Sequence, residues 1–475
     1  MGFETSDIVN AREMKEEMAM DETTPERDII IKKFKRLVNK SMLGVLSGDI
    51  NKSLKYIMQA ENLLEEFQGT IPSELEQSHC DLLHNKVQIL ENQGYLTRGF
   101  EVAQELLSVA TKRDNKLGIF EAHRVLGNLY RRSNKLDKAF KHLDRAIALI
   151  EELLDEGIDY FHLAIALMNA IDAAVMKNDM ERTERYFTRL EEIHELKPNN
   201  HGISLSWKIG KIFFLSTSMR PRDIAKGEDL CDQIIQDKYA PNWGKITALQ
   251  ILCKLLFVDL RMTNNNGVID EIKALFPKMF DYAQGYESTI FLVDYYTIQG
   301  KLSLLTFDFK MARRMLTQAR RIAERHGYFR AVEEISRFQE GLEQQLTTWE
   351  QLKRDNAHFS ERMELARVND HFTAKFGALL NRTENASEED ITVYKNPQKC
   401  VVCKGVVGGF NIYMCSHCKT IYCKTCVQAV IDLENECWSC ETPIDILKPV
   451  KHHEPDPKIE DIDESKKPKK REKSK

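Results

Sequence analysis

Eight of the eleven cysteines in this chain of 475 residues lie between Cys400 and Cys440, arranged as four CxxC pairs. The pairs are Cys400/Cys403, Cys415/Cys418, Cys423/Cys426 and Cys437/Cys440. Two sulfurs separated by two residues can turn inward on one tight knuckle and fill two corners of a metal tetrahedron, so two knuckles complete a four-cysteine zinc shell. Eight cysteines therefore predict two closed sites. A closed four-sulfur shell leaves no position for water or substrate, which predicts two structural Zn2+ ions and no catalytic metal. Four disulfides are the competing use of the same residues, but the sequence shows no signal peptide, and reduced thiols in a cytoplasmic location are expected.

Sequential and interleaved pairing of the knuckles use the same eight ligands. Spacing favours interleaving, because only four residues separate the second pair from the third, against eleven between the first two and ten between the last two. His417 lies inside the second knuckle, yet Cys418 keeps the regular CxxC spacing, so His417 is expected beside the shell and not in it.

The run C-x2-C-x11-C-x2-C-x4-C-x2-C-x10-C-x2-C resembles the cross-brace zinc fingers of the RING, FYVE and PHD group. The resemblance implies a small treble-clef or RING-like domain in which Cys400, Cys403, Cys423 and Cys426 hold one zinc and Cys415, Cys418, Cys437 and Cys440 the other. FYVE fingers carry a basic run before the third cysteine to grip a phosphoinositide. Here that place reads GGFNIYM, without charge, so a membrane-recruited FYVE-like adaptor is the less favoured reading. RING fingers that recruit a ubiquitin-conjugating enzyme use an apolar residue beside the second cysteine, a helix after the sixth and a loop in the last pair. Val402, Val427 and Ile431 of the VQAVIDL segment, and Trp438 match those places and are the candidate partner-binding residues. Two departures stand against ligase activity: Trp438 takes the place of the usual proline, and Glu441 that of the frequent Arg or Lys after the last cysteine.

A finger of about 50 residues needs the rest of the chain to give it something to act on. Hydrophobic residues are 42% and charged residues 30%, the balance of an ordinary globular protein, and a net charge of -5 gives no sign of a nucleic-acid binder. No apolar run is long enough to predict a membrane span. Cys80, Cys231 and Cys253 fall in helical contexts and read as small buried hydrophobes. The region 28–327 is apolar at three- and four-residue spacing nearly throughout, which predicts helices. Its informative feature is repetition. Leu126, Gly127, Tyr130, Ala139 and Ala146 recur in offset at Gly300, Ala312, Leu316 and Ala319, with twelve residues from Gly to Ala and seven between the alanines in both.

This pattern resembles the tetratricopeptide repeat, whose small residues let two antiparallel helices approach closely. Weaker copies centre on Ser53 and Ala60, Gly99 and Ala103, Thr183, and Gly227. The fold class expected is all-α: a tetratricopeptide-like solenoid of helical hairpins plus the small zinc domain. Such an array leaves a groove that suits a client peptide or helix of another protein. It contains no Walker-type loop, no HExxH and no nucleophile elbow, so no catalytic residues are expected.

The remaining divisions are a flexible arm at 1–27, a long helix at 328–380, a linker at 381–398, the zinc module at 399–448 and a disordered charged tail at 449–475. In the long helix Ile335, Phe338, Leu342, Trp349, Leu352, Phe359, Met363 and Ala366 take eight of ten successive heptad core positions, with Gln345 and Asn356 in the other two. That pattern predicts either a coiled coil, with a homodimer through 335–366, or packing back onto the last repeat. Taken together, the chain reads as an adaptor joining a client to a finger-bound partner, with RING-type ligase activity one form this takes and a non-enzymatic scaffold the other.

Overall fold

The structure is a computed structural model and describes residues 26–67, 71–285, 289–368, 399–407 and 412–444. The expected arm up to residue 25, the linker and the charged tail lie outside the described residues, as does the end of the long helix after 368. The chain divides into two compact units, with the boundary between residues 395 and 396.

The described residues of the first unit are all-helical, the helices joined by short turns and packed as successive hairpins in a solenoid-like order. They are α1 (Glu26–Ser47), α2 (Ile50–Glu65), α3 (Glu76–Asn92), α4 (Leu96–Lys112), α5 (Lys116–Arg132), α6 (Leu136–Leu154), α7 (Tyr160–Lys177) and α8 (Met180–Leu196). There follow α9 (His201–Leu215), α10 (Pro221–Gln236), α11 (Asn242–Thr263), α12 (Asn266–Gly285), α13 (Thr289–Leu305) and α14 (Phe309–Arg325). Local sequence starts many of them: Asp49, Asn115, Asp159, Asp179, Asn200 and Asp308 each accept a backbone N–H of the following turn. A side-chain cap of this kind contributes about 1 kcal/mol.

Close approach inside the hairpins depends on small residues. A Cβ on Gly127 would meet Leu143 Cγ at 2.6 Å, and one on Gly300 would meet Leu316 Cγ at 2.9 Å. The weaker repeat positions behave alike, with Ser53, Ala60, Ala103 and Thr183 fully buried at helix seams. Turns between paired helices reuse one conformation, the left-handed region, at Gly94, Asn134, Asn178 and Asn264. At the equivalent turn after α13 the residue is Phe307, with φ 59°. A bulky residue there is strained, and its ring is held by Trp349 edge-on and by the Arg362 guanidinium 4.4 Å from its centroid.

The array also curls back on itself. Asn242, opening α11, donates to Ser47 O at the end of α1 (2.7 Å), and the fully buried Tyr328 donates to Gln93 O after α3 (3.2 Å).

Beyond Tyr328 the single helix expected through to residue 380 is replaced by three: α15 (Phe329–Gln344), α16 (Leu346–Arg354) and α17 (Phe359–Leu365). The breaks fall at the two polar heptad positions. Gln345 ends α15 and starts α16, while Asn356 adopts φ 44° and accepts from Arg362 Nη2. All eight apolar heptad residues belong to, or pack against, the core shared with the array, and α17 lies on α11 and α13. Arg362 donates to Leu305 O, Lys301 to Arg367 O, and Phe359 N to Asn264 Oδ1. Packing back is therefore the arrangement observed, and these side chains are not presented as a coiled-coil seam.

The second unit is small: β1 (Ile412–Met414) and β2 (Ile421–Cys423) pair antiparallel, and α18 (Lys424–Leu433) follows at once. Its core contains Val402, Tyr422, Val427, Val430 and Ile444 together with five of the cysteines.

Candidate metal centre

Three of the four CxxC pairs form the same knuckle. In each, the first cysteine donates its N–H five residues on, from Cys400 to Gly405 O, Cys415 to Thr420 O and Cys437 to Thr442 O, at 2.8 to 2.9 Å. Its carbonyl accepts from Lys404, Lys419 or Glu441, and these three residues sit in the left-handed region at φ 57°, 63° and 56°. The turn thereby points both sulfurs of a pair to one side. The remaining pair is built otherwise: Cys423 ends β2 and caps α18, and Cys426 lies in its first turn.

These elements bring the eight sulfurs into two groups, Cys400, Cys403, Cys423 and Cys426 in one and Cys415, Cys418, Cys437 and Cys440 in the other, with ligand atoms in each group within 4.8 Å of one another. The grouping is interleaved. His417 belongs to neither. Sulfur separations are 3.9 Å between Cys403 and Cys423, and 3.6 Å for both Cys415–Cys440 and Cys418–Cys437. A tetrahedral ion with metal–sulfur bonds of about 2.3 Å has an edge of about 3.8 Å, so each group fits a metal ion of that kind.

Electrostatics point the same way. Hydrogen bonds from Cys403 and then Cys426 hold the Cys400 thiol well below its ordinary range, while the bond to Cys400 pushes Cys426 far up. Four sulfurs this close share little negative charge by themselves, and a bound cation is what lets all four ionise. Cys80, pushed up to about 11 by burial, and Cys231 and Cys253, pushed higher still, are inert buried thiols.

The four candidate partner residues are placed unequally. Val402 and Val427 are 0% and 7% exposed, inside the finger's core, so they are structural. Ile431 and Trp438 are half-buried at its surface, and Val406, not singled out from sequence, is 40% exposed. The burial of Val402 has a plain cause: a module this small has little besides the residues next to its cysteines with which to build a core.

Among the described residues no helix is long and apolar enough to cross a membrane. The fold and the cysteine groups define a helical-repeat protein with a small C-terminal module in which two groups of four cysteines are each placed to hold a metal ion. No protein-family model matches the chain, and no curated protein matches it significantly.

Proposed function

We propose that the chain is a protein-interaction adaptor whose tetratricopeptide-like array holds a protein client while a RING-like finger, stapled by two structural zinc ions, recruits a ubiquitin-conjugating enzyme. The observation that carries this reading is the interleaved pair of four-cysteine groups around one short hairpin and helix. Zinc suits the donor set, since four thiolates in a closed tetrahedron select it over harder cations. The ions would neutralise the thiolates and brace the hairpin against the knuckles, and contribute no reactive position. A ligase of this type positions a charged conjugating enzyme and needs no catalytic side chain of its own, in keeping with an array that carries no catalytic motif.

The second reading is a non-enzymatic scaffold. Glu441 favours it, being acidic where a basic contact to enzyme and ubiquitin is usual, and so does the burial of Val402 and Val427, which leaves only Ile431 and Trp438 of the four candidates at the surface. Discharge of ubiquitin from a panel of charged conjugating enzymes separates the two. Accelerated discharge by the full chain supports the ligase, and none across the panel, even with Glu441→Arg, supports the scaffold.

A further inference from the structure

Tyr422 is 0% exposed and sits in β2 between Ile421 and Cys423. Neighbouring side chains in a strand point to opposite faces. Cys423 accordingly turns to the first cysteine group, and Tyr422 turns the other way. Its hydroxyl lies 3.1 Å from Cys437 Sγ, a member of the second group, and accepts the backbone N–H of Trp438 at 3.0 Å.

The second of these contacts fixes the direction of the first. An amide N–H can only donate, so it takes a lone pair of the tyrosine oxygen and leaves the phenolic O–H to point at the sulfur. We infer that Tyr422 is a positioning residue for the second metal site, donating a hydrogen bond to the Cys437 thiolate from the strand that carries a ligand of the first site. A donor aimed at a sulfur favours the ionised, metal-bound form over the thiol. Thr420 and Thr442 stand beside Cys418 and Cys440 at 3.0 and 3.3 Å, so the second group is ringed by hydroxyls. Among the described residues no hydroxyl bonds to a sulfur of the first group. The two sites are thus chemically unequal, and Tyr422 links them: ordering β2 around Cys423 places the hydroxyl that supports Cys437.

The inference rests on the reading that both groups hold metal, and the test separates the two. Full-length protein and Tyr422→Phe are loaded with Co2+ and exposed to graded chelator, and freed cysteines are alkylated and located by mass spectrometry. Phenylalanine keeps the buried ring and removes only the hydroxyl. The unaltered protein holds two ions. In Tyr422→Phe, Cys415, Cys418, Cys437 and Cys440 become free at a metal affinity about 10- to 100-fold weaker, the usual effect of losing such a partner, while the first group is released as before. The thiolate-to-cobalt absorption of the second site also moves to lower energy, because the sulfur has lost its donor. Release and absorption identical to the unaltered protein would overturn the inference, as would equal weakening of both sites with the band unmoved, the signature of a packing role alone. An unaltered protein that binds fewer than two ions would overturn the metal reading itself, and the role of Tyr422 with it.

Discussion

Gly127 lies so close to Leu143 that a Cβ added to it would stand 2.6 Å from the leucine Cγ, and Gly300 stands in the same relation to Leu316, sixteen residues on in both cases. The repeat is therefore a packing device as well as a sequence pattern. Gly127→Ala should destabilise the array, since overpacking costs about 1–3 kcal/mol and exceeds the gain in helix propensity of about 1 kcal/mol. Gly341 in α15 has nothing within 4 Å of an added Cβ. Gly341→Ala should stabilise by up to about 1 kcal/mol. Denaturant unfolding followed by helical circular dichroism measures both, and a loss of stability at Gly341 or a gain at Gly127 would refute the packing account.

Trp349 is 1% exposed, edge-on to Phe307 and Phe309. Trp349→Ala should cost about 3–5 kcal/mol and lower the melting temperature without changing the molecular mass in solution. A dimer that dissociates on this substitution, with little loss of stability, would restore the coiled-coil explanation.

Acid should weaken the array. Burial holds His79, His84 and His123 down to about 4, from an ordinary 6.5. His84 Nε2 also receives Arg124 at 2.6 Å, a donor that an imidazolium could not accept. In the window from about 6.5 to about 4 the unfolded chain binds protons at these sites and the folded chain does not, so stability falls as pH falls. Asp81 opposes this, because burial raises it from 3.8 to about 6 and the folded state binds its proton first. Burial would raise Glu121 too, but Arg124, His84 and His162 hold it below the carboxylate range, which adds a further loss below its ordinary 4.5. Burial raises Glu228 as well and lowers His142 and His194, so the histidines outnumber the two opposing carboxyls as pH falls from 6.5. Unfolding midpoints at a series of pH values test the sign, and a flat or rising profile toward acid would contradict it.

Much of this was legible in the sequence, for reasons particular residues make plain. A CxxC pair fixes its own turn at Cys400, Cys415 and Cys437, so these three knuckles needed no tertiary information, whereas Cys423 and Cys426 depend on the junction of strand and helix. Gly127 and Gly300 stand out because nothing larger fits there. The break at Asn356 was not legible, since a polar residue at a heptad core position is equally compatible with a continuous helix. Tertiary contacts decide it, above all Arg362 reaching Asn356 and Leu305 O. The role of Tyr422 was also hidden: β2 is three residues long, too short to show alternation, and its hydroxyl finds its partner fifteen residues away.

At the finger surface, Trp438→Ala should abolish binding of a conjugating enzyme, since losing an aromatic anchor costs about 2 kcal/mol or more at such interfaces. Both metal sites should survive, because the side chain is not a ligand. Val402→Ala should instead destabilise the finger, its side chain being fully buried. Isothermal titration with the enzyme that responds best, beside metal content, checks the pair. Unchanged binding by Trp438→Ala would remove the proposed anchor.

The most direct test is metal stoichiometry by native mass spectrometry on the full chain and on Cys423→Ser. Two zinc ions per unaltered chain are predicted, with Cys423→Ser losing the ion shared by Cys400, Cys403 and Cys426, while the ion at Cys415, Cys418, Cys437 and Cys440 stays bound but is loosened through the shared strand. One ion per unaltered chain, or loss in Cys423→Ser of the ion held by Cys437 and Cys440, would contradict the interleaved two-site account.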